Sequence, residues 1–147
     1  MKKITRLEDL FSELFFEIFD YLHALDVFTA FSTLNQRIIL ILSSIPLRIV
    51  VSSYHCHHQI KFLSSNLIDH THQVVSVSLE DFVHDFTSVI SFFFIRHTFE
   101  NLELCALYSS HWSIQIRTAL QQFKNLIKLK SLRFMVAYHM QLYEKEK

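Results

Sequence analysis

Not one glycine occurs among these 147 residues. Helix C-caps and tight hairpin turns normally rely on glycine for positive φ, so the absence argues against hairpin-rich β folds. It also excludes the glycine loops that cradle phosphates, both the dinucleotide fingerprint and the Walker type. A Gly-x-Ser-x-Gly nucleophile elbow is equally impossible. Two cysteines, Cys56 and Cys105, are too few for a secreted disulfide scaffold. Charge of one sign is lacking too, since fourteen basic residues balance fourteen acidic ones. No global basic field invites nucleic acid, and the short cluster Lys124, Lys128, Lys130 and Arg133 reads as a solvated face. Long hydrophobic runs are missing. The apolar stretch between Arg37 and Arg48 falls short of the roughly 20 residues that span a bilayer, and so does Ser88 to Ile95. The start, Met1-Lys2-Lys3-Ile4-Thr5-Arg6, has no signal-peptide core. The expectation is a soluble chain of the cytoplasm and/or nucleus, with no membrane partner.

What is present is apolar. Half of the residues are hydrophobic and fifteen are Phe, enough for a real core. Leu10, Leu14, Ile18 and Leu22 recur every fourth residue and form one face of a helix. Ser12 is placed to cap its first turn, and Glu13 and Glu17 lie near the positive end of its dipole. His23-Ala24-Leu25-Asp26 breaks the phase, with Asp26 a second N-cap candidate. Val27, Ala30, Phe31 and Leu34 continue on a second helix. Asn35 can cap a third, which carries Ile38, Ile39, Ile41 and Leu42. Three short helices in about 40 residues bury little by themselves. Phe15, Phe16 and Phe19 lie on several sides of the first helix, so one apolar side is left over. It either packs on the rest of the chain or serves a partner.

Residues 7–38 resemble an F-box, the helical module that attaches substrate receptors to cullin-type ubiquitin ligases. Leu10, Glu13, Leu14, Ile18, Phe19, Tyr21, Leu22, Asp26, Val27, Leu34 and Arg37 fall where that pattern wants them. Phe11 replaces the usual Pro, and Ile38 stands where Trp or Phe is common. The resemblance covers about the first third of the chain and implies binding to a Skp-type adaptor. The implied adaptor contacts are Leu10, Phe11, Glu13, Leu14, Ile18, Phe19, Leu22, Asp26 and Val27. Proline pre-sets the first helical turn and Phe does not, which puts the entry geometry of Phe11 in doubt.

The remainder repeats. Val74-x-x-Val77-x-Leu79, Phe99-x-x-Leu102-x-Leu104 and Leu129-x-x-Leu132-x-Phe134 share one apolar pattern, at spacings of 25 and 30 residues. Leu47-Arg48-Ile49-Val50-Val51 forms an earlier strand. Helical faces lie between: Ile60, Leu63 and Leu67; then Phe82, Phe86, Val89, Ile90 and Phe93; then Ile116, Leu120, Phe123 and Ile127. Such alternation implies right-handed βαβ units and a parallel sheet. It resembles a degenerate leucine-rich repeat array, although the Asn/Cys ladder position of those repeats is not kept. Pro46 pushes Ile45 out of the helical region and marks the junction. The expected fold is therefore α/β: a three-helix F-box over residues 4–45, then a short leucine-rich-repeat-like βα solenoid with a parallel sheet over residues 46–143.

Residues that suggest chemistry are few. His55-Cys56-His57-His58, with His70 and His72, offers zinc ligand types. Adjacent histidines on a helix diverge, however, and no second Cys pair frames the site, so no metal is expected. Cys105 would need a nearby His base to act as a nucleophile; His111 is close in sequence, but a packed thiol is the simpler reading. Glu80 and Asp81 read as a helix N-terminal cap, with Asp85 solvated. Trp112 lies in the loop after the third strand as a lid or a partner contact. The sequence thus points to a receptor that joins a protein substrate to a Skp-adaptor/cullin ligase, without catalysis, cofactor or nucleic acid. A plain repeat module without a ligase connection is one alternative. A small α/β enzyme is another, with Ser52, Ser53, Glu80, Asp81, Ser109, Ser110 and His111 at the strand C-terminal ends.

Overall fold

A computed structural model describes residues 11–81, 88–110 and 114–136. Within them, six helices and a four-stranded parallel sheet follow one another in an α/β arrangement. Three helices come first: α1 (Ser12–Asp20), α2 (Ala24–Phe31) and α3 (Gln36–Leu42). Strands and helices then alternate as β1 (Leu47–Val51), α4 (His57–Leu67), β2 (Val74–Glu80), α5 (Val89–Arg96), β3 (Leu104–Ser109), α6 (Ile114–Gln122) and β4 (Ser131–Val136). Short 3₁₀ turns at Thr71–Gln73 and Phe123–Asn125 lead towards β2 and β4. Leu10, Phe82, Asp85, Phe86, His111 and Trp112 lie outside the described residues, as does everything after 136.

The three leading helices stand where the apolar periodicity puts them, but their caps differ from expectation. Asn35 does cap α3, its side-chain oxygen accepting from the Ile38 N–H at 3.0 Å. Ser12 instead lies inside α1 as its first residue, and the extended Phe11 occupies the N-cap. The Ser12 hydroxyl accepts from Arg37 of α3 at 3.3 Å, so it ties two helices together instead of capping one. Asp26 sits in the first turn of α2 behind the N-cap His23, where its charge favours the helix dipole. Phe15 and Phe19 turn inward from α1, and Phe19 meets Phe31 of α2 edge-on at 5.0 Å.

The strands pair in sequence order, β1-β2-β3-β4, all parallel. Consecutive order with connections of one hand places every crossover helix on one face. Burial agrees. Leu47, Ile49 and Val51 of β1, Val77 and Leu79 of β2, and Cys105 and Leu107 of β3 are buried, while the alternate residues are not. Leu104 was expected to point into the core, but it is exposed and Cys105 is the inward residue. The correct second pattern is therefore Leu102-x-x-Cys105-x-Leu107. Register confirms the shift, pairing Val77 with Cys105 and Cys105 with Leu132. The repeat is then nearly constant, in place of spacings of 25 and 30. The last helical face also needs correction, because Ile127 falls beyond the Phe123–Asn125 turn and is 99 % exposed.

The repeats are stitched by polar side chains that each reach back one unit. The Ser53 N–H donates to the Glu80 carboxylate across 27 positions at 3.0 Å. Gln73 Nε2 donates to the Ile45 carbonyl, 28 positions away, and to the Leu42 carbonyl, both at 2.8 Å. Asn101 donates to the His72 carbonyl. Lys128 donates to Asn101 Oδ1, and Lys130 pairs with Glu103 at 2.7 Å, both across 27 positions. Arg48 extends the series backwards, donating to the Asp20 carbonyl 28 positions earlier at 2.6 Å. The buried apolar cluster is likewise continuous, running from Phe15 in α1 through the strands to Phe123 and crossing Pro46 without a break.

Candidate functional site

Two surfaces offer themselves for binding. The first is the outer side of α1. With Phe15 and Phe19 turned into the core, the face at Leu14, Ile18 and Leu22 looks outward or sideways. Leu14 is 42 % exposed, while Ile18 and Leu22 are only half-buried. Phe11 extends this strip and is 76 % exposed. Phe16 and Tyr21 on α1 and Leu40 on α3 add further exposed apolar area. Glu13 and Asp26 are exposed beside it. Of the other residues carried over from the F-box pattern, Phe19 and Val27 are buried in the core and are not presented at this surface. Leu10 lies outside the described residues.

The second surface is the face of the sheet opposite the helices. Register arranges its side chains in rows. Arg48, Ser76, Leu104 and Ser131 form one row, and Val50, Ser78, Ala106 and Arg133 the next. Glu80, Tyr108 and Met135 follow. A hollow of about 260 Å³ lies over the first two rows, between β2, β3 and β4. Apart from Glu80, named for an enzyme site, and Arg133, read as part of a solvated face, none of these open-face positions is singled out as a site by the sequence. The available signal was the set of positions alternating with the apolar ones, where small and polar residues recur.

Chemistry-bearing groups are mostly occupied by structure. Burial pushes the Cys105 thiol up to about 12, so it stays protonated and packs as a small apolar side chain. The N-cap of α5 is Ser88, which accepts from the Ser91 N–H at 3.1 Å, in place of the expected Glu80 and Asp81; Asp81 adds a bond from the Ile90 N–H at 3.2 Å and accepts from the Ser88 hydroxyl. Glu80 instead holds the Ser53 N–H. Ser109 is fully buried. His55 Nδ1 accepts from the Ser52 N–H at 3.0 Å and closes the turn after β1. Cys56 is the N-cap of α4, and its N–H donates to Gln59 Oε1 at 2.9 Å. Among the described residues no three His, Cys, Asp or Glu side chains come close enough to hold a metal ion. No helix among them is long and apolar enough to cross a membrane.

A pair that sequence reasoning missed lies between α4 and the end of α5. The Ser64 hydroxyl and His97 Nε2 are 2.8 Å apart and both are buried. Desolvation, and then the neighbouring Arg96 charge, hold His97 below its ordinary pKa, so the ring is kept neutral. Phe93 and Phe99 flank the ring at about 6 Å. An apolar hollow of about 470 Å³ lies near the end of α5, with Phe94, Phe99 and Leu126 among its walls. Comparison with protein-family models, with curated proteins and with solved structures finds no match to this chain.

Proposed function

We propose that this chain is a non-catalytic receptor subunit that joins a target protein to a Skp-adaptor/cullin ubiquitin ligase. The observation that carries the reading is the apolar outer strip of α1, Phe11, Leu14 and Ile18, on a three-helix unit joined directly to a sheet with one face open. The sequence of residues 7–38 resembles an F-box, and that resemblance assigns the strip to the adaptor. The leucine-rich-repeat-like array then gives the second contact. Of its apolar triplets, 74-77-79, 102-105-107 and 129-132-134, the second and third positions pair in register across three strands. Holding both partners at once raises the effective concentration of a target lysine near the ubiquitin-charged enzyme, without any chemistry by the receptor itself.

Co-purification with a Skp-type adaptor tests this. Leu14→Asp places a charge on the exposed strip and should abolish capture, leaving far-UV circular dichroism unchanged. A folded Leu14→Asp variant that still captures the adaptor would overturn the assignment. A second reading, a repeat module with no ligase connection, draws support from Phe19 and Val27. Both belong to the carried-over contact set, yet both are buried in the core. It expects no adaptor binding by the unmodified chain.

A further inference from the structure

We infer that the open face of the sheet binds an extended, acidic segment of a partner protein. The inference rests on the receptor reading, whose target class it specifies. The floor is four strands wide, roughly 14 Å at the usual strand spacing, and an extended segment of about four residues crosses it. In its middle stand the short side chains of Ser76, Ser78 and Ala106, which leave room for a second backbone and form part of the 260 Å³ hollow. The sheet's own edges set the charge. Arg133 on β4 is exposed and makes no hydrogen bond or ion pair among the described residues. Arg48 on β1 donates to the Asp20 carbonyl and makes no ion pair among the described residues. The hydroxyls of Ser76, Ser78 and Ser131 between them make no hydrogen bond among the described residues either. Among the described residues of this face the one carboxylate is Glu80, which lies in the far row and already accepts from Ser53.

Two guanidinium groups at opposite margins, with free hydroxyls and the exposed Leu104 between them, match a chain that alternates carboxylates with apolar residues. Guanidinium takes carboxylate in paired, charge-assisted bonds, which fixes orientation as well as adding attraction. Backbone pairing is not required, since the strands already satisfy one another.

The test is selection of linear dodecapeptides from a random display library on the immobilised full-length chain. Enriched peptides should be rich in Asp and Glu. A synthetic copy of the leading peptide should bind with an affinity that falls about tenfold in Arg133→Glu, and in Arg48→Glu, at unchanged circular dichroism. Replacing the peptide's acids with Lys should restore binding to Arg133→Glu. Ala106→Trp, which fills the floor, should abolish binding. Peptides without acidic enrichment, or equal binding by Arg133→Glu, would overturn the inference. So would tighter binding of a labelled single-stranded oligothymidine than of any selected peptide. Adaptor capture is measured on the same variants. Its loss in the unmodified chain speaks against the receptor reading, whereas peptide binding speaks to the sheet face.

Discussion

Phe11 enters α1 with φ −66° and ψ 149°, a backbone that proline adopts without strain. Its ring is mostly in solvent and its carbonyl accepts from Leu14. Substitution by Pro therefore removes little burial and narrows the unfolded ensemble. Phe11→Pro should stabilise the chain by roughly 0.4–1 kcal/mol, seen as a higher urea midpoint at unchanged slope. On the proposed adaptor-binding function, Phe11→Pro should also bind the adaptor more tightly; weaker binding in a titration would show that the ring is a contact. His97 makes the complementary case of a residue held inside. Its pKa is depressed in the fold, so below its ordinary value of 6.5 the unfolded chain takes up the proton first. Stability from the neutral ring is present above that value and is lost as pH falls towards the folded pKa. The urea midpoint should drop between pH 7.5 and 5.5. His97→Gln, which can still bond Ser64, should flatten that dependence; an identical slope would show that other groups cause it.

Some elements are legible in residue order and others are not. The β1 strand, the α4 face and the Asn35 cap are visible in residue order because each is a local pattern. The α4 face Ile60, Leu63 and Leu67 is buried as its spacing requires. The β3 register was hidden by the identity of one residue. Cys105 was weighed as a reactive group, whereas burial makes it one more core side chain, and counting it restores the repeat. Ile127 continued an apolar count past the point where the chain leaves α6 for a 3₁₀ turn. The α1 surface was legible as surplus apolar residues, though which of them turn inward depended on α2 and α3. The open sheet face was not legible, since its polar residues acquire meaning only when strands lie side by side. Gln73 was equally silent. Its buried amide bonds two carbonyls at the end of α3, joining the leading helices to the first repeat. Gln73→Leu leaves both acceptors unmatched and should cost about 1–3 kcal/mol in denaturant unfolding. Asn101→Ala cuts a half-exposed rung of the same series and should cost less.

At the scale of the whole molecule, the shared core decides cooperativity. Phe28 of α2 contacts His70 at the far end of α4 with ring centres 5.3 Å apart, and α2 packs directly on β1. Leading helices and repeats thus bury one another's apolar surface across Pro46. Thermal unfolding followed by far-UV and near-UV circular dichroism should give a single, coincident transition. Two separated transitions would mean that the junction at Pro46 divides the chain energetically.

The side-chain stitches carry a consequence for how such a chain can lengthen. Apart from the second Gln73 bond, to Leu42, each one spans 27 to 29 positions, so its two ends belong to adjacent strand–helix units. Deleting one residue inside a turn puts every stitch across that turn out of phase, and it also reverses which strand side chains face the helices. Adding a whole turn leaves all existing stitches at their old length and supplies a new set. Change by entire units is therefore neutral to the architecture, while change by single residues is not. Each added unit brings one more strand, and every row of the open face gains one side chain.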